Sequence, residues 1–267
     1  MNRRRFITTT AAAAAITGLT SNLSTAMAAD SAKTAKPEYY EWRTYWLKTP
    51  EQLALVERHW AKAAIPALNR LGIPAVGAFR EQTATTPLKF CVLIPYVSLE
   101  QFQTVNDKLA GDAQYQKNGA EYLGVEAKAP AYERIESTLM LAFDGMTKLE
   151  VPKLKGQPRM FVLRTYESHN EPAGKKKIEM FNKGEIGIFR RTGLTPVFFG
   201  ETVLGANRPN LTYLLVFKDM ADHDASWNKF RTDAEWVKLK AIPEYADAKI
   251  VSKIVKTFLV PAEGSQI

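Results

Sequence analysis

The chain has 267 residues, 46% hydrophobic and 24% charged, with a formal net charge of +8. That balance is ordinary for a globular protein and is enough for one large domain or two small ones. It excludes a spanning helix, since no run of about 18 uninterrupted apolar residues occurs, and so modest a charge gives little reason to expect a nucleic-acid partner.

The first 28 residues read as an address rather than as structure. Asn2-Arg3-Arg4-Arg5-Phe6-Ile7 is a cationic start, Thr8 to Leu19 a mildly hydrophobic Ala/Thr run, and Ala26-Met27-Ala28 a small-x-small cleavage site. The arrangement resembles a twin-arginine export signal with Arg3 and Arg4 as the pair, so a periplasmic or extracellular location is expected. Cleavage after Ala28 removes three arginines and no acid, lowering +8 to +5. The single cysteine, Cys91 in "KFCVLIPY", cannot form an internal disulfide and reads as a buried thiol on a strand.

Beyond the leader the chain is written twice. "EWRTYWL" at Glu41 and "VLRTYES" at Val162 share Arg-Thr-Tyr at a spacing of 121 residues. At that same spacing Arg70 and Gly72 meet Arg191 and Gly193, and Asp112-Ala113-Gln114-Tyr115 meets Asp233-Ala234-Glu235-Trp236. With small shifts "LKFCVLI" pairs with "LTYLLVF" and "IESTLML" with "IVKTFLV". Arg-Thr-Tyr and four further blocks recurring in one order make an internal repeat.

Taken in order, the first copy predicts a strand over Tyr39–Leu47, then a helix over Pro50–Leu71 whose Leu53, Val56, Trp60, Ala64, Ala67 and Leu68 fall at helical spacing. Gly72 follows as a left-handed cap. Strands come next at Ala75–Thr83 and Leu88–Tyr96, a second helix near Ser98, and a fourth strand at Tyr132–Ala142. The second copy repeats this with a strand at Met160–Tyr166, a helix at Ala173–Thr192, strands at Val197–Leu204 and Leu211–Lys218, a helix near Asp222 and a strand at Lys249–Leu259.

The order is β-α-β-β-α-β in tandem, an α+β chain of two ferredoxin-like units. The predicted organisation is a signal peptide over 1–28, a first unit over 29–143, a linker over 144–158 and a second unit over 159–267. A lone unit leaves one sheet face bare. Two units solve this by packing sheet to sheet as a pseudo-dimeric α/β barrel with helices outside.

Strand alternation separates Tyr40, Trp42 and Thr44 from Glu41, Arg43 and Tyr45, and Phe161, Leu163 and Thr165 from Val162, Arg164 and Tyr166. If the more apolar set meets the helices, Arg43, Tyr45, Arg164 and Tyr166 line the lumen and are the candidate ligand-binding residues. Two readings stand for them: internal pairing with Glu81 and Glu201, or a bound small anion recognised by the planar guanidinium and an orientable hydroxyl.

The three histidines form no spaced metal motif, and no metal site is predicted. His223, between Asp222 and Asp224, reads as part of a helix cap. His59, midway along the first helix, and His169, just past the second Arg-Thr-Tyr strand, are the two candidates for moving a proton. The run Lys175-Lys176-Lys177 reads as a solvated helix face.

The motifs "YYEWRTYWLK" (Tyr39–Lys48), "ERHWAKAAIPALNRLGI" (Glu57–Ile73), "RMFVLRTY" (Arg159–Tyr166), "FRRTGLTPV" (Phe189–Val197) and "TDAEWVKL" (Thr232–Leu239) resemble those of the NIPSNAP family, once per repeat. The second copy departs in carrying Gly187 where the first has Pro66. The resemblance implies ferredoxin-like units in an α/β barrel, often further dimerised, so a homo-oligomer is an open partner, and it implies no general reaction. The wider barrel superfamily includes haem-degrading and cofactor-free monooxygenases, an analogy of fold.

The resulting expectation is an exported, non-enzymatic protein that binds a small molecule in its barrel, with no cofactor predicted. The alternatives are an oxygenase- or isomerase-type enzyme on an apolar substrate, with His59 or His169 moving a proton or His59 ligating haem, and a scaffold for protein association.

Overall fold

The structure, a computed structural model, describes residues 36–154 and 157–267. The leader expected at 1–28 lies outside the described residues.

The first repeat opens with β1 (Tyr39–Leu47). The following α1 (Pro50–His59) is started by Thr49, whose hydroxyl accepts from the Gln52 N–H, and by Pro50 in the first turn, where a missing N–H costs nothing. The helix then widens into a π-helical turn (Trp60–Ala64), closed by the Ile65 N–H on the Trp60 carbonyl, before resuming as α2 (Ile65–Arg70). Pro66 explains part of this: it cannot donate back to Lys62, and the freed Lys62 carbonyl instead accepts from Asn118 Nδ2 at 3.2 Å. Next come β2 (Gly77–Glu81), β3 (Leu88–Tyr96), α3 (Leu99–Ala110), α4 (Ala113–Leu123) and β4 (Arg134–Ala142).

The second repeat runs β5 (Met160–Glu167), α5 (Glu171–Met180), a π-helical turn (Phe181–Glu185), α6 (Ile186–Thr192), β6 (Thr195–Leu204) and β7 (Asn210–Phe217). It continues with α7 (Met220–Thr232), α8 (Ala234–Lys240), α9 (Asp247–Ile250) and β8 (Lys253–Pro261). The π turn recurs although Gly187 replaces Pro66, so proline is not its only cause. Two expectations shift here. Asp219 caps α7 through the Asp222 N–H, which puts His223 inside the helix rather than at its cap. Lys249 lies in α9, and β8 begins four residues later.

The strands close into one antiparallel barrel of order β1-β3-β2-β8-β5-β7-β6-β4, with β4 returning to β1. Each repeat contributes the ferredoxin-like order 4-1-3-2, and the seams are β2 on β8 and β4 on β6. The fold is therefore the α+β pseudo-dimeric barrel expected from the tandem repeat.

The most regular echo between repeats also has a structural reason. Arg70, at the end of α2, reaches Asp112, the N-cap of α4, with Nη2 to Oδ2 at 2.7 Å. Arg191, at the end of α6, reaches Asp233, the N-cap of α8, with Nε to Oδ2 at 3.0 Å. Each Asp thus ties two helices together while satisfying the orphan N–H groups of one of them. Gly72 and Gly193 turn the chain between at φ +79° and +92°. A Cβ on Gly193 would stand 2.9 Å from Ser226 Oγ, whereas one on Gly72 meets nothing within 4 Å. Gly193→Ala is expected to cost about 2 kcal/mol and Gly72→Ala about 1, compared by denaturant unfolding.

The barrel makes two kinds of core. Tyr40, Trp42, Phe79, Phe161, Phe198, Leu214 and Leu259, drawn from both repeats, fill the lumen. Tyr45, Val56, Trp60 and Leu68 pack between sheet and helices in the first repeat. Tyr166, Phe181, Phe189 and Tyr213 do so in the second. This inverts the expected faces. The lumen is shared by two sheets and needs the largest rings, so Tyr40 and Trp42 turn inward, and the Arg-Tyr set turns toward the helices.

Candidate functional site

The four Arg and Tyr side chains proposed as ligand-binding do not meet across the lumen. They form two separate clusters, one per repeat, each between the sheet and its own helices.

In the first repeat Arg43 is neutralised where it stands. Its Nε donates to Glu41 Oε1 at 2.8 Å and its Nη2 to Oε2 at 3.0 Å. Ser137 Oγ donates to Oε1 at 2.7 Å and Tyr96 Oη to Oε2 at 3.0 Å. Burial works against ionisation of Glu41, but the Arg43 charge and these donors outweigh it and hold the carboxyl below its ordinary range. The guanidinium also lies over the Trp60 ring, which the π turn presents, at 5.6 Å. Internal pairing is thus the right reading for Arg43, with Glu41 as partner rather than Glu81. Glu81 instead holds Lys89, and Glu201 holds Lys175.

His59 sits beside this cluster, 5% exposed, with its ring stacked on Tyr122 at 3.9 Å and Nε2 3.4 Å from Tyr115 Oη. Gly119 of α4 permits that approach, since a Cβ there would fall 3.2 Å from His59 Nδ1. Nδ1 has no hydrogen-bond partner among the described residues. Burial, helped by the Arg43 charge, pushes the imidazole down to about 4, so it is neutral at pH 7.

In the second repeat the carboxylate is gone. Val162 occupies the position of Glu41, and Tyr213 that of Val92. Arg164 Nη2 donates to Tyr166 Oη at 2.9 Å, Tyr213 Oη donates to the same oxygen at 3.0 Å, and Arg164 Nε is buried without a partner among the described residues. The guanidinium lies 4.6 Å over the Trp227 ring, whose own Nε1 is likewise unpaired. Burial keeps the Tyr213 phenol well above its usual pKa, so it is a neutral donor.

Beneath this group, Lys177 and Glu185 replace Val56 and Ala64 of the first repeat. They are 1% and 2% exposed, and Lys177 Nζ reaches Glu185 Oε2 across the π turn at 3.1 Å. Lys177 is therefore not on the solvated face expected for the lysine run. Burial opposes its charge, yet Glu185 and Asp247, the latter 3.7 Å away, outweigh that and hold the ammonium protonated. Burial raises Glu185 more strongly than Lys177 lowers it.

The cluster is open on one side. Register places Lys256 opposite Arg164 and Ile254 opposite Tyr166, on the same face of the sheet. Ile254 is 41% exposed and Lys256 is exposed as well. In the first repeat the residue opposite Arg43 is Ser137, already bonded to Glu41.

Of the other expected residues, His169 is exposed on the loop between β5 and α5. His223 packs its ring against Phe217 and Phe258 with Nδ1 2.8 Å from Asp224 Oδ1. Among the described residues no group of three or more His, Cys, Asp or Glu is disposed to hold a metal ion. Sequence reasoning missed Lys177, Glu185, Tyr213 and Trp227 as members of the cluster. A position-by-position comparison of the two copies would have exposed the first three, because each is polar where its counterpart is apolar.

The NIPSNAP family model matches residues 40–142 and again 161–266. Among solved structures, a candidate monooxygenase from Fusobacterium nucleatum aligns with TM-score 0.55 at 10% identity, over 85% of this chain and 93% of its own. A second candidate monooxygenase, from Lactobacillus acidophilus, gives 0.57 at 8% identity, over 86% and 98%. An uncharacterized NIPSNAP-like domain protein from Burkholderia xenovorans covers 39% of this chain and 84% of its own, with TM-score 0.35 and 16% identity. No curated protein matches. At these identities the structural likeness carries the fold alone.

Proposed function

The chain belongs to the NIPSNAP family, and from that premise we propose that it is an exported binding protein for a small organic anion, held by Arg164 and Tyr166 beneath the helices of the second repeat. One observation carries the reading. Arg43 has a carboxylate built into its own strand, and Arg164, at the same place in the second repeat, has Val162 there and a buried Nε with no acceptor.

A guanidinium is charged at every accessible pH and presents a planar fork that matches a carboxylate or phosphate. Half-buried with no carboxylate hydrogen-bonded to it, it forfeits solvation that a bound anion would return. Lys256 adds a second cation at the exposed approach over β8, and the Tyr166 and Tyr213 hydroxyls offer orientable neighbours. The first repeat, by contrast, is self-satisfied: Glu41 does there what the ligand does in the second. The exported part of the reading rests on the Arg3-Arg4 leader motif alone.

The test is calorimetric titration with a panel of small mono- and dicarboxylates and inorganic phosphate. Saturable binding is expected for at least one, weakened about tenfold or more in Arg164→Gln, as loss of a charge-assisted bidentate contact implies. Val162→Glu, which reinstates the internal partner of the first repeat, should weaken binding comparably while leaving the arginine in place. No saturable heat with any member, or wild-type affinity in Arg164→Gln, overturns the proposal.

A further inference from the structure

The lumen is packed with aromatic and aliphatic side chains at one end only. Toward the other end the inward-facing positions turn polar. Thr44 and Thr165, the central residues of the two Arg-Thr-Tyr motifs, continue the faces that carry Trp42 and Phe161. Thr165 and Thr212 bond each other at 2.9 Å. A cavity of about 180 Å3 opens here, walled by Trp42, Trp46, Thr44, Thr257, Cys91 and Leu163, with Glu81, Lys89 and Glu136 at its rim.

Its charges are already spent on one another. Lys89 Nζ holds Glu81 Oε1 at 3.1 Å, and Arg134 Nε holds Glu136 Oε1 at 2.8 Å. The same two cations cover the Trp46 ring at 4.9 and 4.2 Å. This is the opposite of the second-repeat cluster, where a guanidinium lacks its anion, so a charged guest gains little here. The uncommitted groups are neutral. Among the described residues the Thr44 hydroxyl has only the Cys91 sulfur, at 3.9 Å, and Trp46 Nε1 is buried with no partner.

We propose that the barrel mouth binds a small neutral polyhydroxylated molecule, a polyol or a monosaccharide. Such a guest needs partners that both donate and accept, which threonine hydroxyls do. It needs a carboxylate oxygen with lone pairs to spare, which Glu136 retains at the rim in Oε2, whereas Lys89 and Thr85 engage both oxygens of Glu81. Its C–H faces need apolar walls, which Trp42 and Leu163 supply. The cavity, about 180 Å3, is of roughly one sugar ring in volume, below the ~300–1,000 Å3 of sites that take drug-sized ligands.

The test uses the full mature chain and reads tryptophan fluorescence and titration heat with erythritol, xylose and glucose. At least one should give a saturable change in both readouts. Thr257→Val and the rim substitution Glu136→Gln should each weaken it about threefold to tenfold, as loss of a single neutral or rim hydrogen bond implies. Glu136 is exposed, so that variant stays informative if Thr257→Val fails to fold. Arg164→Gln should leave sugar affinity unchanged, which separates this site from the anion site. Absence of saturable binding for all three probes overturns the proposal, as does an affinity that neither substitution at the mouth alters, or one that Arg164→Gln lowers as much as they do.

Discussion

Glu185→Ala is expected to lower the thermal unfolding midpoint by roughly 6–12 °C, and Lys177→Val added to it is expected to restore most of that loss. Removing Glu185 strands an ammonium that is 1% exposed among Tyr166, Phe181 and Trp236. Breaking one partner of a buried pair costs about 3–5 kcal/mol. The lower end applies because Asp247 remains 3.7 Å from Nζ, though largely in solvent. For a domain of this size each kcal/mol moves the midpoint by roughly 2–4 °C. The double substitution reproduces Val56 and Ala64, which the first repeat buries at the same two positions around its own π turn. Replacing both partners by apolar groups of fitting shape is commonly neutral or stabilising, so the double variant should lie within about 1 kcal/mol of the parent. A double variant as unstable as Glu185→Ala would mean that the pair shapes the π turn itself. The pair would then be part of the second-repeat cluster's architecture, because Tyr213 packs on Phe181 of that turn.

The repeat made the topology readable from the sequence alone, because two noisy copies of one pattern constrain each other. β1 and β3 fall where alternation predicts, and the Arg70–Asp112 and Arg191–Asp233 ties explain why those residues recur. The orientation of the strands was not readable by the rule applied to it. That rule sends the more apolar face to the helices, which holds for a single sheet with one core. A closed barrel has a second core, and Tyr40, Trp42, Phe79, Phe161 and Phe198 are needed to fill it. Arg43 and Arg164 are left on the helix side, where an aromatic ring, Trp60 or Trp227, covers each. The π turns carry no compositional mark, since they add a residue to a helix without changing its pattern. Yet they matter to both clusters: one supplies Trp60 to Arg43, the other brings Glu185 back to Lys177. The asymmetry between the two clusters was present in the letters at a spacing of 121, in Val162 for Glu41 and Lys177 for Val56. It became meaningful only once those positions were known to share one layer.

That asymmetry also yields the expected pH dependence. His59, whose counterpart is Met180, is neutral in the folded chain with its pKa pushed down to about 4, by burial first and the Arg43 charge second. In the unfolded chain the imidazole titrates near 6.5. A group whose folded pKa is depressed contributes stability that is complete above the unfolded value and is lost as pH falls toward the folded one. Between pH 6.5 and pH 4 the wild type should therefore lose roughly 3 kcal/mol through this residue alone. Protonation would force a second cation in beside Arg43, against a stacked Tyr122 and with no acceptor for Nδ1. His59→Met puts the second repeat's own apolar choice at this position and removes the titrating group. Unfolding midpoints measured across that range should then diverge: the wild type falls steeply, the variant more gently, and the two curves run parallel above pH 7. Parallel curves throughout would show that the imidazole gains a proton without penalty. Water would then reach Nδ1 in solution, and the narrow gap beside Gly119 would have to open as readily as the exposed approach over β8.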